Sequence, residues 1–276
     1  MRIYGVDVTS TPSRSKPMAI CHAELQGHDL RIQQVQAGDS FELLERMLTD
    51  KCYVAAMDFP FGLPRVFLGW AGWPMDWSGM VQRLGQLSRA DWRELVAGFR
   101  AVQPVGHKHP KRKADAVTGS ASPVNVIRPP VGLMLHAVAP RLLASGAHVP
   151  PVCNGDPHRV VVEGYPALVA EALIKTRRYK EPRAHDAKQV QQNRRRFIAS
   201  LTGSALKQQY GLSLHLPEDL RPALLADDKG DLLDSVLCAV QAAWASRFGP
   251  PDYGMPAHIA DPVEGCIADP LIGAAF

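Results

Sequence analysis

Residues 2–8 read Arg2-Ile3-Tyr4-Gly5-Val6-Asp7-Val8, an apolar run that carries an acid near its end. A short apolar run followed by a stretch rich in Ser, Thr and Pro is typical of a buried strand and its turn. Residues 18–25 and 30–35 predict two further strands, and the Gln26-Gly27-His28-Asp29 segment between them favours a hairpin. We therefore expect three strands that are antiparallel neighbours.

A helix and a fourth strand follow the predicted hairpin. Residues 41–48 repeat apolar side chains at helical spacing, and residues 52–57 form another apolar run that ends at Asp58. A helical crossover can return the chain so that this strand runs parallel to the first. The opening of the chain therefore predicts an α/β fold with a mixed sheet and flanking helices.

Two later segments extend the predicted sheet and its helices. Residues 159–163 read Arg-Val-Val-Val-Glu, a short buried strand that ends in Glu163. Residues 231–248 repeat apolar side chains at helical spacing, and this helix opens with Asp231 and Asp234. Ligand sites of open α/β sheets form at the carboxyl ends of the parallel strands. We therefore expect the strand-end acids to meet at that edge.

Residues 64–150 show the weakest pattern. Residues 88–103 and about 131–143 have helical spacing. Between them a basic run at 107–113 leads into a Gly/Ser/Pro-rich stretch, for which we expect a long mobile loop. A length of 276 residues is near the upper end for one hydrophobic core. We expect a single domain over 1–276 with a helical and loop insertion at about 64–150.

Composition excludes several classes of protein. Hydrophobic residues make up 46% of the chain, which is too apolar for disorder. The five cysteines include no CxxC pair, which argues against a disulfide framework or a zinc ribbon and favours a reducing compartment. No apolar run reaches the roughly 20 residues of a membrane helix, so we expect a cytoplasmic protein without a membrane partner. The net charge of +4 permits a nucleic-acid partner without requiring one.

Acids at strand ends and at a helix start carry the predicted chemistry. Carboxylates crowded together repel one another unless a cation or a proton lies between them. Mg²⁺ and Mn²⁺ prefer oxygen ligands and suit such a site. We predict Asp7, Asp58, Glu163 and Asp234 as ligands of Mg²⁺ or Mn²⁺, and these four together with Asp231 as the catalytic group.

The two acids of the last long helix are not equivalent. Asp231 and Asp234 are three residues apart and share a helical face. Asp234 lies in the apolar part of the helix, where an unpaired carboxylate is unfavourable. We favour Asp234 as the inner ligand and keep Asp231 as a candidate. For Asp7 and Asp58, a second interpretation as simple turn caps stays open.

The ordered set of motifs resembles a known family. The segments that carry the resemblance are, in chain order, Gly5-Val6-Asp7, Met57-Asp58-Phe59-Pro60-Phe61-Gly62-Leu63-Pro64, Glu163-Gly164-Tyr165-Pro166-Ala167, Arg178-Tyr179-Lys180, Asp231-Leu-Leu-Asp234-Ser-Val-Leu-Cys-Ala239 and Glu264-Gly265-Cys266-Ile267. Together they resemble domain-of-unknown-function family 429, described as predicted ribonuclease H-like nucleases. The resemblance implies a ribonuclease H-like fold and an acidic site made by Asp7, Asp58, Glu163 and one or both of Asp231 and Asp234.

Basic side chains supply candidate contacts to a nucleic-acid backbone, whether DNA or RNA. The candidates are Lys108, Lys111, Arg112, Lys113, Lys180, Arg194 and Arg195. Charge runs are also common on solvated faces, so that interpretation stays open. Arg112 and Asp115 can also pair locally, Tyr179 and Lys180 can approach the acidic site, and Glu264 is expected to hold the C-terminal tail by hydrogen bonds.

Two other functions stay open at this point. A nucleic-acid-binding module without catalysis would tolerate neutral residues where this chain keeps its acids. An actin-like or sugar-kinase-type phosphotransferase needs a glycine-containing turn after the first strand, but Asp7 leads into Val8-Thr9-Ser10-Thr11-Pro12. No Walker-type phosphate loop occurs either. Metal-dependent hydrolysis of phosphodiester bonds is the favoured function, and the oligomeric state is left open.

Overall fold

The computed structural model describes residues 1–181 and 183–273. These residues form a seven-stranded sheet of β1 (Arg2–Asp7), β2 (Met18–Gln26), β3 (Asp29–Gly38), β4 (Tyr53–Met57), β5 (Ala147–His148), β6 (Asp156–Glu163) and β7 (Ser213–His215). The helices are α1 (Glu42–Leu48), α2 (Arg65–Ala71), α3 (Trp77–Gly85), α4 (Arg89–Val102), α5 (Lys113–Thr118), α6 (Val131–Ser145), α7 (Pro166–Ile174), α8 (Ala187–Leu201), α9 (Ser204–Tyr210), α10 (Leu220–Ala226), α11 (Asp231–Ser246) and α12 (Pro270–Gly273). The α/β fold with a mixed sheet and flanking helices is confirmed. Within the described ranges, none of the helices has the length and apolar character needed to cross a bilayer.

The strands lie in the order β5-β6-β4-β1-β2-β3-β7. β1, β2 and β3 are antiparallel neighbours, and α1 returns the chain so that β4 runs parallel to β1. β6 pairs in parallel with β4. This is the arrangement that the opening of the chain predicted. The edge strands β5 and β7 were not predicted, because two and three residues are too few to show a strand pattern.

Side chains of the strands alternate between two faces, and each face has its own apolar core. One face is covered by α11, in which residues 233–245 are all buried. The other is covered by helices that include α2, α3, α4 and α6, with Phe67, Trp77 and Trp92 in their core. The odd or even position of a strand residue therefore decides which core it enters.

Gly5 allows α11 to cross β1 at close range. A Cβ atom on Gly5 would lie 2.0 Å from the carbonyl oxygen of Ser235 and 2.2 Å from the amide nitrogen of Ala239. Any larger residue would force the helix away from the strand, which is one of the recurring uses of glycine within a sheet. This contact brings the first turn of α11 close to the end of β1.

Residues 65–145 are largely helical, and the helices predicted at 88–103 and 131–143 are confirmed as α4 and α6. The long mobile loop expected around the basic run is corrected by the structure. The irregular chain after α4 gives way to α5 at Lys113, and Arg112 is buried. The reason is local, since the carboxylate of Asp115 accepts from both the backbone and the side chain of Arg112 and so starts the helix.

Candidate metal centre

Three aspartates converge at the carboxyl edge of the sheet. Asp7 ends β1, Asp58 directly follows β4, and Asp234 lies in the first turn of α11. Each offers a carboxylate oxygen within 4.8 Å of those of the other two. Asp234 is fully buried, and Asp7 is only 9% exposed. The structure thus brings together three of the predicted site residues, from positions far apart in the chain.

Strand register and helix entry position these carboxylates. The parallel register of β1 and β4 makes Asp7 and Asp58 neighbours on the face that α11 covers. α11 begins after Gly230, which has a φ of 79°, and the Gly230 carbonyl accepts from the amide of Asp234 at 2.8 Å. Asp234 therefore lies in the first helical turn, where the helix dipole favours a negative charge.

Burial and mutual repulsion make the cluster hold protons tightly. Burial, followed by the charges of Asp234 and Asp58, raises the pKa of Asp7 well above its usual value. Burial also raises the pKa of Asp58 to about 7, with Lys180 opposing the rise and Asp234 adding to it. Carboxylates that resist ionisation in this way would be relieved by a cation placed between them.

Residues 179 and 180 place a hydroxyl and an ammonium group against the cluster, as the sequence suggested. The Lys180 ammonium donates to one carboxylate oxygen of Asp234, and the Tyr179 hydroxyl donates to the other at 2.5 Å. Burial opposes the charge of Lys180, but the Asp234 carboxylate outweighs burial, and the pKa of Lys180 rises well above its usual value. The backbone carbonyl of Tyr179 in turn accepts from buried Arg194 at 3.1 Å. Lys180 is therefore a cation that the chain itself supplies to the cluster.

Asp231 lies beside the cluster of three rather than within it. It is the first residue of α11, and burial followed by the charges of Asp227 and Asp234 raises its pKa to about 6. Asp227 accepts from the amide of Leu232 at 2.8 Å, an ordinary contact at a helix start. The preference for Asp234 as the inner acid agrees with this arrangement.

Glu163 reaches the same edge of the sheet but faces the other way, so its prediction as a metal ligand and catalytic acid is corrected. Its backbone pairs with that of Met57, whose side chain enters the core opposite α11. Both Glu163 carboxylate oxygens accept from the guanidinium of Arg112, at 2.6 and 2.8 Å, and one also accepts from the amide of Phe61 at 3.0 Å. The charge of Glu163 is already neutralised on that face.

Arg112 ties the helical segment to the sheet. Its guanidinium also pairs with Asp115 at 2.8 Å and donates to the backbone carbonyl of Glu264 at 2.8 Å. Buried charges are tolerated when each is paired and its hydrogen-bonding groups are satisfied. The expected Arg112–Asp115 pair is confirmed. The role expected of Glu264 is confirmed as well, since its carboxylate accepts from the amide of Arg65 at 2.7 Å.

Two predicted contacts to nucleic acid are corrected by burial. Arg112 and Arg194 are each 1% exposed and donate to internal acceptors, so neither is available to a ligand at the surface. The remaining candidates are exposed or border the cluster, and for them the contact stays a prediction: Lys108, Lys111, Lys113, Lys180 and Arg195.

Sequence reasoning missed the Arg112–Glu163 pair. One signal was available, because alternation along β6 puts Glu163 on the same face as Val161, opposite to the face of Asp7 and Asp58. The identity of the partner was not readable, since Arg112 and Glu163 are 51 residues apart in the chain.

Glu163→Gln should lower the free energy of unfolding by about 3 kcal/mol, because it leaves the buried Arg112 charge without its full compensation. Urea denaturation measures the change. Glu42→Gln, at an exposed position of α1, is the matched control and should alter stability by less than about 0.5 kcal/mol. Equal stability of the two variants would show that the buried pair does not form in solution.

A family model matches most of the chain. The match covers residues 5–250, and the family is described as Protein of unknown function (DUF429). The matched residues include the three converging aspartates together with Tyr179 and Lys180. Curated proteins and solved structures gave no significant match. From the family match, the chain belongs to the DUF429 family.

Proposed function

We propose that the protein hydrolyses phosphodiester bonds of nucleic acid with Mg²⁺ or Mn²⁺ held by the carboxylate cluster. The observation that carries the proposal is the convergence of Asp7, Asp58 and Asp234, with carboxylate oxygens within 4.8 Å of one another. Buried groups whose pKa values are raised by burial and by each other are frequent at functional sites. The resemblance of the motifs to predicted ribonuclease H-like nucleases supports the phosphodiester as the bond that is broken.

A ribonuclease H-like fold is part of this proposal. Its support is the antiparallel β1–β2–β3 unit followed by a crossover to the parallel strands β4 and β6. The chain leaves β1 for β2 on one side, whereas β4 lies on the other. In open α/β sheets, ligands bind outside the carboxyl ends of strands where the strand order reverses in this way. Asp7 and Asp58 lie at such a point.

The donor set fits a hard divalent cation. The three residues that would hold the ion are Asp7, Asp58 and Asp234, and each offers a carboxylate oxygen. Mg²⁺ binds oxygen at about 2.1 Å, so two ligands on opposite sides of one ion are about 4.2 Å apart. The present spread of up to 4.8 Å is close to that span. The absence of His and Cys from this set of three favours Mg²⁺ or Mn²⁺ over Zn²⁺.

The chemistry that such an ion supplies is Lewis-acid activation of the phosphoryl group together with easier ionisation of water. The side chains of the protein have separate tasks around it. Tyr179 orients Asp234 by its hydrogen bond at 2.5 Å. Lys180 carries a positive charge beside the carboxylates, and its side chain is 36% exposed, so it can also reach a phosphate oxygen of the substrate. Its contact with nucleic acid is therefore proposed at the cluster itself.

With Mn²⁺ present, the protein should cleave a nucleic acid, and Asp7→Asn and Asp234→Asn should each lower the rate at least about 100-fold, because the loss of a charged ligand weakens the metal site. A panel of labelled single-stranded, duplex, hybrid and branched DNA and RNA measures cleavage. Asp219→Asn, an exposed aspartate outside the cluster, is the control. Tight binding without cleavage would favour a binding module, and saturable ATP turnover would favour a phosphotransferase.

Calorimetric titration should detect binding of Mn²⁺ by the wild-type protein, and Asp7→Asn should weaken that binding at least about tenfold. The same substitution should raise the melting temperature of the metal-free protein, because it removes one of three repelling carboxylates. Asp219→Asn should change neither quantity. No heat of binding in the wild-type protein would count directly against the proposed metal centre.

Without metal, the stability of the protein should fall as pH rises from 3.8 to about 7, the ordinary and the folded-state pKa values of Asp58. Over this range the unfolded chain has released the proton while the folded protein still binds it, so each rise in pH favours unfolding. Thermal unfolding in EDTA between about pH 4 and pH 8 measures the slope. Asp58→Asn should flatten it, and a slope identical to that of wild type would contradict the raised pKa.

A further inference from the structure

A groove of about 400 Å³ lies outside the carboxylate cluster, between the helical segment and the basic run. Its size falls in the range of ligand-binding clefts in proteins. The lining residues that matter here are Val66, Phe99, His107, His109, Pro110 and Lys111. They come from α2, from α4 and from the irregular chain that follows α4. The proposed reaction makes no use of this groove.

The groove is basic on one side. Lys111 and the neighbouring Lys108 are exposed, and His107 and His109 add two more nitrogen-bearing side chains. No acidic side chain is among its described lining residues. Close by, the Nε atom of Arg100 is buried without a hydrogen-bond partner. A buried donor without a partner is unfavourable, and an anion at this place would offer an acceptor next to the basic side chains.

The other side of the groove is apolar and aromatic. Trp70 is 40% exposed, although its ring packs against that of Phe99 with centroids 5.2 Å apart. Val66 and Val102, on the adjoining helices, are 56% and 64% exposed. A tryptophan held edge-on by a buried phenylalanine is fixed in position yet open to solvent on part of its surface. Aromatic surfaces of this kind bind nucleic-acid bases by stacking.

Covalent neighbours connect the groove to the carboxylate cluster. Lys111 precedes Arg112, which holds Glu163 at the carboxyl edge of the sheet. Glu163 in turn lies near enough to Asp58 for its charge to raise the pKa of that aspartate. On the other wall, Val66 follows Arg65, whose amide is bound by Glu264, the residue whose carbonyl also accepts from Arg112. The groove therefore opens from the same edge of the sheet as the cluster.

We propose that this groove binds single-stranded nucleic acid, with phosphates along Lys108 and Lys111 and an unpaired base on Trp70. The choice of nucleic acid rests on the proposed function. The preference for a single strand follows from the aromatic wall, because bases in a duplex are stacked on each other and cannot reach a side chain. Charge complementarity to phosphate and an apolar wall for bases together match this ligand class.

Binding of a fluorescently labelled single-stranded oligonucleotide in EDTA tests the proposal by anisotropy, with the full-length protein. Lys108→Ala with Lys111→Ala should weaken binding at least tenfold and reduce the salt dependence of log Kd by about 2, one for each lost phosphate contact. Trp70→Leu keeps an apolar side chain against Phe99 and should weaken binding about tenfold through the loss of stacking. Duplex of the same sequence should bind at least tenfold more weakly.

The matched control is Lys51→Ala with Lys207→Ala, which removes the same charge from exposed positions outside the groove. An equal loss of affinity in this control, equal affinity for duplex, or equally tight binding of polyglutamate would overturn the proposal, as would wild-type affinity in both groove variants. Asp7→Asn separates the two ideas, because it should bind the strand as wild type does. Groove-dependent binding without cleavage would remove the hydrolase alone, and cleavage unaffected by the groove variants would remove the groove alone.

Discussion

Repulsion among carboxylates that the fold forces together is the constraint on which the rest of this structure depends. Asp7, Asp58 and Asp234 meet where water is largely excluded, and their pKa pattern shows that the site accepts negative charge poorly. Lys180 returns one positive charge, which leaves the group short of cations. Packing of α11 on Gly5 maintains this arrangement, because the helix cannot withdraw from β1 without losing its core.

The same edge of the sheet treats two kinds of acid in opposite ways. On the α11 face the aspartates share one flexible lysine and stay open to a further cation. On the other face Glu163 is bound on both oxygens by Arg112, which is itself paired with Asp115, so that this group of charges is closed. The closed group is a structural joint between the sheet, α5 and the C-terminal turn, whereas the open group has unused capacity for a ligand.

This joint also explains how the helical segment can serve the site. Arg112 and Glu264 fix the starts of α5 and α2 at the carboxyl edge. The groove between those elements is thereby held beside the cluster, and its basic and aromatic walls come from residues that carry little regular pattern in sequence. A substrate that runs along one edge of the sheet would meet a binding surface and the carboxylates in turn.

The sequence by itself determined the central sheet, its order from β1 to β4, the long helix α11 and the preference for Asp234 over Asp231. These follow from periodicity, from turn residues and from the unfavourable burial of a lone carboxylate, all of which are local. Only the tertiary structure decided that Glu163 is a structural acid, that Arg112 and Arg194 are internal, and that Lys180 faces the aspartates. The reason is physical: a charge acquires its role from its nearest counter-charge, and here that partner lies tens of residues away in the chain.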